Sequence, residues 1–376
     1  MSGEIIIDRI RAAGKYELRE ENFEGMNAYS FVARHLHLKR DVFLKVYDAV
    51  PEEGDVFLEP RSFIEATSNS GGCPYLVEVL DAEFLGDDYV LIAMELVDGG
   101  SILSRISDGP FRLMDAIEVA KNILQGVSHL HSSRFLHRDI KPANIIIADM
   151  YGRLHPKIGD FGSMAKLNSG ETTVVASRHS PLYVPPEAWG EQAVYCFQSD
   201  IYQVGMVLYE MINGALPYEE EHMLDNHSKA QIKKCGCKLF SDLDRLDQCR
   251  IVDESICRRA KSRKLLSLVQ KKPYLYGGIQ RIINAATNPD LHNRYKKAVD
   301  MHSALNQIHV PNWFSDGALY KAMGWHGWDW EVEETVRRNK PAEYVVRKSR
   351  CGANSFRKCY SSIDIVGGFN YVLSCI

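Results

Sequence analysis

The chain has 376 residues and a formal net charge of −4, with 45% hydrophobic, 25% charged and 10% aromatic residues. That is ordinary for a soluble globular protein, with room for one large two-lobed domain or two ordinary ones. The near-neutral balance gives no global pull toward nucleic acid or an anionic membrane. The opening stretch MSGEIIIDRIRAAGKY breaks its apolar run with Asp8, Arg9 and Arg11, which excludes a secretory h-region. No later run approaches transmembrane length. Nine cysteines, an odd number on a chain this long, read as reduced thiols. The expectation is a cytoplasmic protein with no membrane partner.

In chain order, YELREENF, AYSFVARHL, RDVFLKVYD, LVEVLDAEF and YVLIAMEL read as short strands between residues 16 and 100. Between the third and fourth, VFLEPRSFIEA reads as a short helix with Pro60 in its first turn. After Gly99-Gly100 the pattern turns helical. Met114 to His131 carries Ile117, Ala120, Ile123, Leu124, Val127 and Leu130 at the 3.6-residue period. Asp200 to Asn213 is apolar nearly all round, as a helix buried in a large lobe is. A β-rich part and a helical part joined by a glycine pair predict a two-lobed α+β protein with a cleft between the lobes.

The densest chemistry is HRDIKPAN, His137 to Asn144, followed sixteen residues later by Asp160-Phe161-Gly162. Upstream, VFLK places Lys45 at the end of the third strand, and downstream His179 to Glu187 reads HSPLYVPPE. Together these resemble the protein kinase family, from about residue 16 to 309. The strand runs also look like bacterial or phage members of it. The resemblance implies a small antiparallel β lobe plus one helix (16–97), a large helical lobe (98–309) and a small β-containing C-terminal extension (310–376). It implies a serine/threonine kinase that uses ATP and Mg2+, with Mn2+ as a substitute metal, on protein substrates the sequence does not identify. Phosphoryl transfer needs in-line positioning and neutralisation of phosphoryl charge more than covalent help.

By the same resemblance, Asp139 orients the substrate hydroxyl and accepts its proton, and Lys141 stabilises the γ-phosphate. Asn144 and Asp160 hold the metal ions through oxygen, as hard cations require. Lys45 clamps the α- and β-phosphates and pairs with Glu59 or Glu65. Glu59 is favoured because Phe63 lies one turn later. Met94 lines the back of the nucleotide pocket, the Glu95 carbonyl and Val97 N–H meet the adenine edge, and Ile146 packs beneath it. Ser180 contacts the catalytic aspartate and lysine. Glu187 pairs with Arg294, and Asp200 holds the catalytic-loop backbone, although an acid at a helix head also serves as a cap. Arg138 beside the catalytic aspartate goes with control by phosphate on the activation loop, where Thr172, Thr173 and Ser177 are acceptors and autophosphorylation is expected.

Two features depart from the family. Its glycine-rich loop falls on residues 23–30, where only Gly25 survives, so backbone approach to phosphate is less free. Phe43 stands where the family has a small residue above the adenine. These departures favour a rival reading, a pseudokinase scaffold binding partners through the extension and the 218–276 insert. The retained Lys45, Asp139 and Asp160 favour the enzyme. AMP transfer has no supporting motif, and Lys141 with Ser180 argues against tyrosine as acceptor.

The insert holds Cys235, Cys237, Cys249 and Cys257 without paired C-x-x-C knuckles, so zinc is the minor reading. Its basic run Arg258, Arg259, Lys261, Arg263 and Lys264 reads as a solvated face ahead of a substrate-docking surface. Beyond 310, Trp313, Trp325, Trp328 and Trp330 cluster before WEVEETV and AEYVVRKS, which read as strands. A basic stretch follows, Arg337, Arg338, Lys340, Arg347, Lys348, Arg350, Arg357 and Lys358. The favoured reading is a small module docked on the large lobe by its tryptophans. The alternative is a recognition module for an anionic partner such as nucleic acid.

Overall fold

The computed structural model describes residues 2–22, 29–48, 72–150, 152–176, 180–275, 277–317, 319–336, 341–353 and 355–375. Gly25 with most of the altered glycine loop, the helix expected over 56–66 with Glu59 and Glu65, and Ser177 lie outside these residues.

The small lobe is a five-stranded antiparallel sheet in the order β1-β2-β3-β5-β4. The strands are β1 (Tyr16–Asn22), β2 (Tyr29–His35), β3 (Arg40–Asp48), β4 (Val79–Phe84) and β5 (Tyr89–Glu95). β3 alternates strictly, with Val42, Leu44 and Val46 buried and Phe43, Lys45 and Tyr47 on the opposite face. The first face is covered by the amphipathic helix Ser2–Ala13, whose Ile6, Ile7 and Ile10 share a core with Phe31, Leu44 and Leu91. At about 1.5–3 kcal/mol for each buried aliphatic side chain, this helix is packed as part of the lobe. Arg9 ties it to the β4–β5 turn through Asp88 and the Leu85 carbonyl, lying over the Tyr89 ring. The second face of β3 looks into the cleft.

The large lobe is built on the helices Leu113–Ser132 and Phe197–Asn213. Their apolar faces merge with Val77, Ile92 and Met94 of the small lobe into one continuous core. The second helix starts three residues before Asp200, and its cap position is Cys196, so Asp200 lies in the first turn and is not the cap.

The insert forms helices Asn226–Lys234 and Arg245–Lys261, whose Ile232, Ile251, Val252 and Ile256 share a second core with Leu182, Tyr183, Val184 and Trp189. In the basic run, Arg258 forks onto Asp225 and bonds the Ser228 hydroxyl, while Arg259 donates to the Met223 and Leu224 carbonyls. Those two arginines brace the insert and present no free charge for docking. Among the described residues no cluster of three or more His, Cys, Asp or Glu has the arrangement of a metal site, and Cys235 and Cys249 are exposed.

The C-terminal part is a second five-stranded antiparallel sheet of β12 (Trp313–Asp316), β13 (Leu319–Trp325), β14 (Trp328–Thr335), β15 (Glu343–Arg350) and β16 (Arg357–Ser362), closed by helix Ile365–Ser374. Trp313, Trp330, Val332, Val346 and Phe369 are buried in the same core as the large lobe's Met301 and Leu305. Asn312 accepts from the Met114 N–H at 2.8 Å, and Arg112 lies over Phe314. Most of the basic residues described here are committed within the module. Arg347 pairs with Glu333 and Lys358 with Glu343, while Lys348 and Arg350 stack on Trp328. Among the described residues no helix is long and apolar enough to cross a membrane.

Candidate active site

The short strand pair β6 (Phe135–Leu136) and β9 (Ala165–Lys166) and the hairpin β7 (Ile145–Met150) with β8 (Arg153–Ile158) fix the loop that carries His137 to Asn144. Asp200, fully buried, reaches that loop from the helix below. Its carboxylate accepts from the backbone N–H of His137 at 3.0 Å and of Arg138 at 2.9 Å, and lies 2.8 Å from Nε2 of His131. Burial alone would raise the Asp200 carboxyl, but the His131 contact and the two N–H donors outweigh it and lower its pKa. Gln203, one turn later, accepts from the Ile140 N–H and donates to the carbonyls of Arg138 and Tyr183. His137 closes the frame: its Nδ1 accepts from the Asp139 N–H, so its Nε2–H faces the Gly159 carbonyl at 3.1 Å.

On this frame the polar side chains converge. Lys141 Nζ donates to Asp139 Oδ2 at 2.8 Å and to Ser180 Oγ at 2.6 Å. Asn144 Nδ2 donates to the same Oδ2 at 3.0 Å and to the Asp139 carbonyl at 2.9 Å. Both side-chain donors fall on Oδ2, leaving Oδ1 of a carboxylate only 5% exposed with no partner among the described residues. Lys45, from the cleft face of β3, reaches Asp160 Oδ1 at 2.9 Å. Burial would raise the Asp160 carboxyl; the Lys45 ammonium, with smaller contributions from His137 and Lys141, lowers it on balance. Asp160 holds a left-handed backbone, φ 56° and ψ 78°, which costs a non-glycine residue and is characteristic of functional positions. The carboxamide oxygen of Asn144 and the second carboxylate oxygen of Asp160 have no hydrogen bond among the described residues. These are hard oxygen donors of the kind a divalent cation takes.

The cleft roof carries Phe43 beside Met94 in the β3–β5 register. Glu95 is held by Lys157 at 2.6 Å and by the Glu78 N–H at 2.8 Å, which fixes the chain just before Val97. Ile146 is partly buried against the same core, bridged to Ser101. Glu187 and Arg294 form a forked ion pair at 2.7 and 3.0 Å, with Arg294 buried, bonded to the Asn288 and Gln198 carbonyls and stacked on Tyr202. The Ser199 hydroxyl adds a donor to Glu187 at 2.7 Å.

Arg138, expected to pair with a phosphate on the activation loop, faces main-chain oxygens of that loop. Its guanidinium donates to the backbone carbonyls of Ser163, Met164 and Val175. Thr172 and Thr173 are exposed. Sequence reasoning also missed Arg134, Gln203 and His131, none of which stands in a motif. A signal was present for two of them, a polar residue inside an otherwise apolar helix at Gln203 and a histidine in the last turn of the preceding helix at His131.

The family model for the protein kinase domain matches residues 33–274. MAP kinase-activated protein kinase 2 from Cricetulus longicaudatus is 31% identical over 170 residues, 44% of this chain and 51% of that protein. Serine/threonine-protein kinase PrkC of Bacillus subtilis is 28% identical over 301 residues, covering 78% of this chain and 40% of its own length. The RAF proto-oncogene serine/threonine-protein kinase of Xenopus laevis is 28% identical over 282 residues, 71% of this chain and 42% of that protein. The chain thus spans about half the length, or less, of the curated relatives it matches.

Proposed function

Because this chain belongs to the protein kinase family, we propose that it transfers the γ-phosphate of ATP, with magnesium, to serine or threonine hydroxyls of cytoplasmic protein substrates. The observation that carries this reading is the convergence of Lys141, Ser180 and Asn144 on the Asp139 carboxylate, beside the Lys45–Asp160 pair.

When bound, Mg-ATP supplies the phosphoryl group and most of the cationic charge that neutralises it. Asn144 and Asp160 offer oxygens to the metal, and Lys45 offers an ammonium to the phosphates. Asp139, oriented by two donors on one oxygen, keeps the other for the acceptor hydroxyl and takes its proton. Lys141 joins that carboxylate to Ser180 of the substrate loop, and its charge faces the phosphoryl oxygens as transfer proceeds. The Lys141–Ser180 bond at 2.6 Å supports an aliphatic hydroxyl as acceptor. Glu95 and Val97 serve the adenine edge with Met94 and Ile146 as apolar walls. Autophosphorylation of the exposed Thr172 or Thr173 belongs to the same reading.

The test is acid hydrolysis of a protein labelled by this chain from γ-labelled ATP. Label on phosphoserine or phosphothreonine is expected. Label confined to phosphotyrosine would overturn the acceptor, and a protein left unlabelled by γ-labelled ATP but labelled by α-labelled ATP would mean AMP transfer and overturn the reaction.

A further inference from the structure

Two arginines flanking β6 share an unusual arrangement. Arg134 and Arg138 both have a left-handed backbone, φ 62° and 68°, which favours glycine and costs other residues about 1–3 kcal/mol. Both direct their guanidinium groups at main-chain carbonyls of the activation segment. Arg134 Nε donates to the Leu167 carbonyl at 2.9 Å, and one terminal nitrogen donates to Asn168 and Glu171 at 2.6 and 2.8 Å. The Leu167 N–H returns a bond to the Arg134 carbonyl at 2.9 Å. Arg138 takes the carbonyls of Ser163, Met164 and Val175. Between them, six carbonyls spread over residues 163–175 are gathered by two side chains. The turn is closed locally as well: Glu171 accepts from the Asn168 N–H and side chain, and β10 (Val174–Val175) pairs with β11 (Val194–Tyr195).

All six partners are main-chain carbonyls, and none is a side-chain hydroxyl that could carry a phosphate. Bonds from a charged donor are stronger than neutral ones, and a planar fork loses little freedom in making several at once. Thr172 and Thr173 project to solvent between the two sets of contacts.

We propose that Arg134 and Arg138 order the activation segment through its backbone, so that the segment takes its working shape without phosphorylation, and that Arg134 is a positioning residue for the protein substrate. The proposal rests on the kinase reading for its link to catalysis, and its structural half stands without it.

The experiment uses the full chain after treatment with a protein phosphatase, with mass spectrometry showing residues 162–180 free of phosphate. Hydrogen exchange over residues 163–176 is measured for wild type, Arg134→Gly and Arg134→Lys. Glycine relieves the left-handed backbone while deleting the guanidinium, so it separates lost contacts from misfolding. Exchange in the phosphate-free wild type is expected to match that of the untreated chain. Arg134→Gly should exchange at least about ten-fold faster there while melting no earlier, since three bonds to a charged donor are removed, and Arg134→Lys should fall between. In steady-state transfer, the glycine variant should raise KM for the protein substrate about ten-fold or more and leave KM for ATP nearly unchanged, with lysine partly restoring it. Wild-type exchange that rises on dephosphorylation, or a glycine variant that exchanges like wild type, would overturn the proposal. If no form of the chain transfers phosphate, the kinase reading fails, and the exchange data still decide whether the arginines hold the segment.

Discussion

Asp200 and Glu210 lie on one buried helix and titrate in opposite directions, because only one has enough donors. Asp200 meets His131 and two backbone N–H groups and stays below the usual carboxylate range. Glu210 has one backbone donor, from Leu216 at 2.9 Å, near the Tyr183 hydroxyl, and burial pushes its carboxyl up to about 7. Between the ordinary glutamate value of 4.5 and about 7, the folded chain keeps a proton that the unfolded chain releases. Stability from this residue is therefore present at low pH, falls as pH rises through that window, and is gone above it, at about 1.4 kcal/mol per unit of displacement. Glu210→Gln keeps the Leu216 bond without the titration. Thermal melts should show the variant gaining on wild type between pH 5 and pH 8, and an equal difference at both would contradict the shift. The Glu187–Arg294 pair makes a second residue-scale prediction. Arg294→Met leaves a buried carboxylate without its fork, so denaturant unfolding should show a loss of about 3–5 kcal/mol. A loss under about 1 kcal/mol would mean that Ser199 alone satisfies Glu187.

At the scale of elements, the small-lobe sheet was legible because β-branched and aromatic residues alternate in RDVFLKVYD and its neighbours, and a period of two has one reading. The Ser2–Ala13 helix was not legible in the same way. Asp8 and Arg11 are exposed and interrupt the apolar run of a helix whose Ile6, Ile7 and Ile10 form a narrow stripe. The insert was equally opaque, since its apolar positions are few and their partners lie in the substrate loop, far away in sequence. The residues proposed for catalysis were readable from tight local motifs. Arg134 was not, because its partners are backbone carbonyls that leave no mark on side-chain identity. The helix carries its own prediction. Ile10→Ala should destabilise by about 2–5 kcal/mol, as core truncations of this size do, measured by chemical denaturation. A change within about 0.5 kcal/mol would mean that the helix is not docked on the sheet.

For the whole molecule, the C-terminal sheet belongs to the body of the protein. Trp313 and Trp330 lie in the large lobe's core, and Phe369 makes edge contacts with Trp313, Tyr274 and Tyr320. Trp313→Ala should cost about 3–5 kcal/mol and lower a single melting transition. A second, separate transition would mean that the module folds on its own. Its aromatic residues, read from the sequence as docking groups, do that work, while most of its described basic residues are neutralised by strand neighbours or stacked on tryptophan. The core shared by the two lobes runs beneath the cleft around which Lys45, Asp139, Asn144 and Asp160 stand, with separate cores behind the small-lobe sheet and under the insert.

The most direct measurement is phosphate transfer from γ-labelled ATP with magnesium, comparing wild type with Asp139→Asn and Asp160→Asn. Label on an added protein with wild type, reduced at least about a thousand-fold in both variants, is the predicted result, given what positioning and charge neutralisation contribute to phosphoryl transfer. Equal labelling by all three would contradict the roles assigned to the two carboxylates. No labelling by any, with no detectable nucleotide binding, would contradict the enzyme itself and point to a cleft closed by Phe43.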